Sequence, residues 1–282
     1  MSIAERREAV RFLGTHGVSV QRACVLVQLQ RASFHYQPRS VVDDGVSTEI
    51  AALAQAHPRY GYRRVWALLR RKRTINRKRV HRLWTRARLQ VQRPKRRRQR
   101  RERPVPLAAA YPNHVWAYDF VEDQDVYGHI LRMLTVMDEF TREGLAIDVD
   151  TSTSAERVIG VLLQLVAAHG APAYLRSDNG SEFAAVVVQA WLAQRQIQTL
   201  YIDAGCPWQN GKDERFNGTV RDECLKMQLF ASVAEARVRL EAFRRHYNDD
   251  RPHSRLGYQT PSEFKRAWRE AQANQQDSQI AT

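Results

Sequence analysis

Three cysteines (Cys24, Cys206, Cys224) are all that 282 residues contain, widely spaced and odd in number. That argues against a disulfide framework, and with no His/Cys pairs at ligand spacing no zinc site is expected. The three read as buried structural thiols. Long apolar runs are lacking as well: no stretch approaches the roughly 20 residues needed to cross a bilayer. The opening MSIAERREAV is charged at once and lacks the apolar run and small-residue cleavage site of a signal peptide. A cytoplasmic protein without membrane partners is the expectation. Internal repeats are missing too. Acid is missing from one region above all: between residues 51 and 110 a single acid, Glu102, stands among 21 Lys and Arg.

The flanking segments differ. Residues 1–50 carry six basic and five acidic side chains, residues 111–282 carry 18 and 24, and the whole chain has a formal net charge of +15. A near-neutral head, an intensely basic middle and a mildly acidic remainder imply a division of labour. The middle calls for a polyanion. No amphipathic apolar face accompanies the charge, so nucleic acid is the expected partner rather than an anionic membrane surface.

Apolar residues at three-to-four spacing in 4–13 and 19–29, either side of Thr15-His16-Gly17, predict two short helices, with a third near Arg31–Tyr36. After a break from Pro38 to Gly45, residues 47–56 predict a helix opened by a Ser/Thr cap and stopped before His57-Pro58. Residues 61–72 place Val65, Leu68 and Leu69 on one stripe. Residues 76–89 turn Val80, Leu83, Trp84 and Leu89 inward and leave Arg77, Lys78, Arg79, Arg82 and Arg86 outward. Two helices across a short turn, the second basic, have the layout of a helix-turn-helix; Arg63 and Arg64 on the first join the candidate DNA contacts. Residues 93–106, RPKRRRQRRERPVP, have no periodicity and read as a linker touching phosphates through Arg96, Arg97 and Arg98.

Past Tyr111 the texture changes. Strands are expected at 114–122, 129–137 and 144–149, then an apolar helix at 154–169, a strand at 173–177, a helix at 181–194, a strand near 197–202, and helices at 210–226 and 232–247. The order βββαβαβα predicts an α/β fold, a mixed sheet flanked by helices. The Gln-rich tail from Ala271 is expected to be disordered.

Three acids occupy unusual places in that frame. Asp119 interrupts the apolar strand WAYDF, where Asp is disfavoured. Asp178 ends the fourth strand in SDNG, and Glu214 lies early in the helix after GCPWQNG. Taken singly, an Asp after a strand is commonly a turn or cap residue, and a Glu on a basic helix an ion-pair partner. A mid-strand acid needs more compensation. Asp138, Asp148, Asp203, Asp213, Asp222 and Glu223 read as turn or surface residues. Carboxylates at strand ends of an α/β sheet point into the crevice where ligands bind, and such oxygen donors suit Mg²⁺ or Mn²⁺. Two such ions about 4 Å apart can activate an attacking oxygen, stabilise a leaving one and offset the charge of a phosphodiester.

In their contexts, WAYDF, SDNGSEF and GKDERFNGTVRDE resemble the catalytic core of the retroviral-integrase and transposase superfamily. Thirty-five residues separate Asp178 from Glu214 and 58 separate Asp119 from Asp178, as in the D,D(35)E pattern. The resemblance is closest to the second reading-frame product of insertion sequence 3 family transposases and covers nearly the whole chain. HPRYGYRRVWALLRRK…NRKRVHRLW looks like that family's helix-turn-helix, and YNDDRPHSRLGYQTPSEF like its C-terminal ending. The resemblance implies a ribonuclease-H-like integrase core at 111–226. Before it stand a small helical domain at 1–40, a basic helix-turn-helix at 46–92 and the linker 93–110; a helical extension at 227–270 and the tail 271–282 follow. It implies Asp119, Asp178 and Glu214 as metal ligands and catalytic acids. Arg221, seven residues or two turns after Glu214, becomes a DNA contact on the same helix face, with Lys212, Asn210 and Asn179 as further contacts.

The activity so implied is metal-dependent cleavage at insertion-sequence ends followed by strand transfer, using two Mg²⁺ (or Mn²⁺) ions. The substrates are double-stranded DNA carrying terminal inverted repeats and target DNA, held by a homodimer or larger assembly at the bacterial nucleoid, with the first reading-frame product as a further partner. A rival is a DNA-binding regulator or inhibitor of the fused transposase, since no long heptad segment is present. A ribonuclease H would share the metal site but would not need the basic segment.

Overall fold

Ser2 and Glu5 open the chain with a reciprocal cap: the Glu5 amide donates to Ser2 Oγ at 3.3 Å and the Ser2 amide to Glu5 Oε2 at 2.8 Å. The helix they start, α1 (Ile3–Thr15), is followed by α2 (Val20–Leu26) and α3 (Arg31–His35). Val10, Ala23, Cys24 and Leu29 form their buried centre. Arg6 and Arg7 tie the three together by donating to the carbonyls of Gln28 and Ser33, each at 2.8 Å. In this computed structural model the described residues are 1–36, 45–91, 107–177, 186–202 and 211–280, with side chains to 276. They form two units, Met1–Ser47 and Thr48–Thr282. Asp178, Asn179, Asn210, Arg96, Arg97, Arg98, Asp203 and Cys206 lie outside the described residues.

The second unit takes up α4 (Val46–Ala56) from its third residue and continues with α5 (Tyr62–Leu69) and α6 (Arg77–Arg86). Asn76 caps α6 by accepting from the Lys78 amide at 2.8 Å. Val65, Ala67, Leu69, Val80, Leu83 and Trp84 are buried, and Arg77, Lys78, Arg82 and Arg86 are exposed, with Arg79 intermediate. The apolar stripe thus fixes which way the basic face of α6 looks.

β1 (Val115–Gln124), β2 (Ile130–Asp138), β3 (Gly144–Asp150), β4 (Tyr174–Ser177) and β5 (Gln198–Tyr201) make one sheet in the order β3-β2-β1-β4-β5. The first three pair antiparallel, whereas β1–β4 and β4–β5 are parallel. The remaining helices are α7 (Ala155–His169), α8 (Val186–Gln194), α9 (Asp213–Glu223), α10 (Val233–Asp249) and α11 (Pro261–Ile280). Alternation along β1 and β2 feeds two cores. Trp116, Tyr118, Leu134 and Val136 pack with α7 and α8 on one face. Ala117, Val121, Met133 and Met137 pack with α9 and α10 on the other. The expected mixed sheet flanked by helices is therefore present.

Two expectations need correction. The tail from Ala271 continues α11 to Ile280 rather than being disordered; Ala and Gln are good helix formers and neither Gly nor Pro interrupts them. Asp138 belongs to a turn but is 1% exposed. Its carboxylate accepts from the amides of Asn113, Phe140 and Thr141 at 2.6–2.9 Å, closing the β2–β3 connection from inside. Among the described residues no helix is long and apolar enough to cross a membrane.

Candidate functional site

β1 places Asp119 directly after the fully buried Trp116, Ala117 and Tyr118. A charge there needs donors. The Phe120 amide donates to Asp119 Oδ1 at 2.7 Å and Asn217 Nδ2 to Asp119 Oδ2 at 3.0 Å, while Thr135 Oγ1 on β2 donates to the Asp119 carbonyl at 3.1 Å. β4 runs parallel beside β1 and ends at Ser177, 0% exposed and one residue before Asp178.

α9 brings the third element. Its inward face carries Asp213, Phe216, Asn217 and Val220, the spacing of one helical stripe. Asn217 Nδ2 also donates to Asp213 Oδ2 at 3.1 Å, so one amide joins the carboxylates of Asp119 and Asp213. Asp213, expected at the surface, is 0% exposed. It begins the helix on the same stripe as Asn217, whereas Glu214, about 100° further round, is exposed. Asn217 and Asp213 were legible only as an i,i+4 pair; nothing in their order marked them as neighbours of Asp119. Among the described residues no group of three His, Cys, Asp or Glu side chains could hold a metal ion; Asp178 is not among them. The donor set of Asp119 and its neighbours is oxygen-rich and fits a hard divalent cation.

The candidate DNA contacts divide. Arg221 is exposed on α9. Lys212 Nζ lies 2.7 Å from Glu139 Oε2, and Arg176 Nη1 lies 3.1 Å from Glu139 Oε1; Glu139 is 1% exposed. Arg63 is exposed and donates to the Tyr62 hydroxyl at 3.2 Å. Arg64 turns instead toward the core and pairs with Glu223 at 2.8 Å.

That pair belongs to a joint between the helix-turn-helix and α9. Glu223, also expected at the surface, receives both Arg64 and Arg251, the latter through Nε at 2.7 Å and Nη2 at 2.8 Å. Burial would raise the Glu223 carboxyl, but hydrogen bonding and charge from Arg251, then Arg64, bring it below its ordinary value. Burial and the charges of Arg251, Arg64 and Arg142 push His253 down to about 2. The neutral ring lies 3.2 Å from Arg251 Nη1 through Nε2. Arg59 pairs with Asp222, Tyr60 Oη lies 3.0 Å from His246 Nε2, and Arg71 pairs with Glu263 at 2.8 Å. Asn248 clamps the start of β3, accepting from the Gly144 amide and donating to its carbonyl, both at 2.9 Å. A Cβ on Gly144 would come within 2.7 Å of the Phe216 ring, so glycine lets α9 press against the sheet here. The segment YNDDRP thus ties α10, β3, α5 and α9 together.

A five-stranded mixed sheet with an acid on its central strand and an acid-bearing helix packed beside it defines the integrase-core class. Integrase core domain models match residues 109–207 and 195–261, and an HTH-like domain model matches 42–97. The chain is 40% identical over 275 residues to an insertion element IS476 uncharacterized 39.2 kDa protein of Xanthomonas euvesicatoria, covering 95% of this chain and 79% of that one. It is 31% identical over 277 residues to transposase InsD of insertion element IS2 from Escherichia coli, covering 89% and 91%. A simian T-cell lymphotropic virus intasome structure in complex with PP2A regulatory subunit B56 gamma shares the fold, with a TM-score of 0.50, 17% identity, and 77% and 74% covered. The chain belongs to the insertion sequence 3 family of DDE transposases. Its function is DNA transposition and integration, as a DNA-cutting and strand-transfer enzyme; a DNA-binding regulator or inhibitor with little activity alone is not favoured.

Proposed function

We propose that Asp119, Asp178 and Glu214 are the catalytic acids and hold two Mg²⁺ or Mn²⁺ ions. The observation that carries this is the hydrogen-bonded Asp119 carboxylate beside the helix that bears Glu214. When bound, the ions supply Lewis-acid stabilisation of both the entering and the departing oxygen. In the first reaction a water oxygen bonds to phosphorus and gives up a proton, the P–O3′ bond breaks, and the departing 3′ oxygen gains a proton to become a hydroxyl. In the second that hydroxyl attacks another strand, one P–O bond replacing another. The first joining links one element end to the other, giving a circle before insertion. The exposed basic face of α6 and the linker grip inverted-repeat ends and Arg221 steadies DNA beside Glu214. A homodimer or larger assembly holds both ends, with the first reading-frame product as a further partner, in the cytoplasm at the nucleoid. The domain limits 1–40, 46–92, 93–110, 111–226, 227–270 and 271–282 belong to this reading, the last starting inside α11.

Labelled duplexes copied from the DNA flanking the gene, incubated with the full chain and Mn²⁺ or Mg²⁺, should yield nicked and joined products. Asp178→Asn should remove both while leaving DNA binding intact; retained nicking refutes the assignment. A second reading, favoured by the amide that Asp213 shares with Asp119, makes Asp213 the third acid. Glu214→Gln abolishing nicking with Asp213→Asn active supports the first reading, and the reverse supports the second.

A further inference from the structure

The cleft between α9 and the C-terminal segment holds more positive charge than its ion pairs use. It has a volume of about 780 Å³ and is bordered by α5, α9, the β2–β3 turn and residues 251–255. Its carboxylates are spoken for: Asp222 pairs with Arg59, and Glu223 with Arg64 and Arg251. Lys212, on the wall of the cleft, pairs with Glu139. Among the described residues the side chains of Arg142, Arg215 and Arg255, all of which line the cleft, pair with no carboxylate. A concave, low-dielectric wall of one sign focuses its field on whatever anion enters.

Arg142 has the strongest mark of a task. Its φ is +64°, a left-handed conformation that glycine or asparagine adopts more readily. The β2–β3 turn nonetheless carries a guanidinium there. Burial lowers the Arg142 pKa from its ordinary value; Tyr247 and Glu139 oppose this, and Arg215 and Arg255 add repulsion. Like charges gathered in a cleft are stabilised by a shared anion, and guanidinium matches phosphate in geometry.

We propose that Arg142, Arg215 and Arg255 form a phosphodiester-binding site that seats the backbone of element-end DNA on its way from the helix-turn-helix to the acidic site. The proposal rests on the transposase reading above. The occupant is end DNA because α5 of the helix-turn-helix forms one wall and Arg215, next to Glu214, belongs to the other.

The test uses the full chain and a fluorescent duplex copied from the DNA flanking the gene, with affinity measured across a salt series. Each phosphate contact contributes about 0.9 to the slope of log K against log salt, so Arg142→Gln/Arg215→Gln/Arg255→Gln should flatten the slope by roughly 2–3 and weaken binding at least about tenfold at low salt. Arg142→Gly is the second variant. It suits the left-handed backbone, so its thermal midpoint should be kept or raised while DNA binding falls. An unchanged slope in a folded triple variant, with wild-type protein nicking the duplex, overturns the site and leaves the transposase reading standing. Wild-type protein that neither nicks nor joins any flanking duplex overturns that reading, and the site with it. Affinity lost only for unrelated duplexes overturns the assignment to end DNA.

Discussion

Replacing Glu223 by Ala should unlatch the joint between the helix-turn-helix and α9. Glu223 has a side chain 9% exposed and faces Arg251, 4% exposed, through two charge-assisted bonds. Removing the acid leaves a guanidinium buried without its counter-charge, which costs about 3–5 kcal/mol. Arg64, 21% exposed, adds no more than about 1 kcal/mol. At roughly 2–4 °C per kcal/mol for a domain of this size, the thermal midpoint should fall by about 6–20 °C. Glu223→Leu combined with Arg251→Met should recover most of that, since replacing both partners by apolar groups is often near neutral. The sign of the pH effect follows from the lowered folded pKa of Glu223. Its contribution is complete above the unfolded value of about 4.3 and fades as pH falls through the lower folded value, so Glu223→Gln and wild type should converge in strong acid. Thermal melts of Glu223→Ala, Glu223→Gln and the four proteins of the Glu223→Leu/Arg251→Met cycle, repeated across pH, read all of this. A midpoint drop under about 2 °C for Glu223→Ala, or simple additivity in the cycle, would refute the reasoning.

Three further outcomes follow from the same geometry. Gly144→Ala drives a methyl to within 2.7–2.9 Å of the Phe216 ring and should cost about 1–3 kcal/mol; because Phe216 lies on α9, nicking should fall with stability, and an unaltered melt contradicts the close approach. Asn217→Ala removes the amide between Asp119 and Asp213 and should lower nicking at least about tenfold with DNA affinity unchanged; wild-type nicking rates would show that the bridge has no role. Cys224, 0% exposed and with its thiol pushed up by burial to about 11, should resist iodoacetamide until the protein unfolds; modification at native rates, followed by mass spectrometry, would contradict its burial.

The sheet was readable because strand alternation and helical stripes are local: Trp116, Tyr118, Leu134 and Val136 announce one core face by their spacing alone. Asp119 was readable for the opposite reason, as a charge that breaks its strand's pattern. Asp213 was misjudged because its burial depends on where α9 packs, with Asn217 joining it to Asp119 94 positions away, and Glu223 because its partner Arg251 lies 28 positions away; no local rule predicts neighbours so remote. The HTH-like helices looked separable in the same way, since the ion pairs that dock them join residues more than 150 positions apart.

By itself, then, the order of residues determined the elements, the basic face of α6, the spacing of Asp119, Asp178 and Glu214, and through them the family. Only the tertiary structure decided that one amide of Asn217 serves two acids, that Asn248 grips Gly144, and that Arg142, Arg215 and Arg255 share a cleft. The physical reason is range. Periodicity and capping act within a few residues of chain. Charge pairing and close packing act within a few ångströms of space, and the fold alone chooses which distant residues those are.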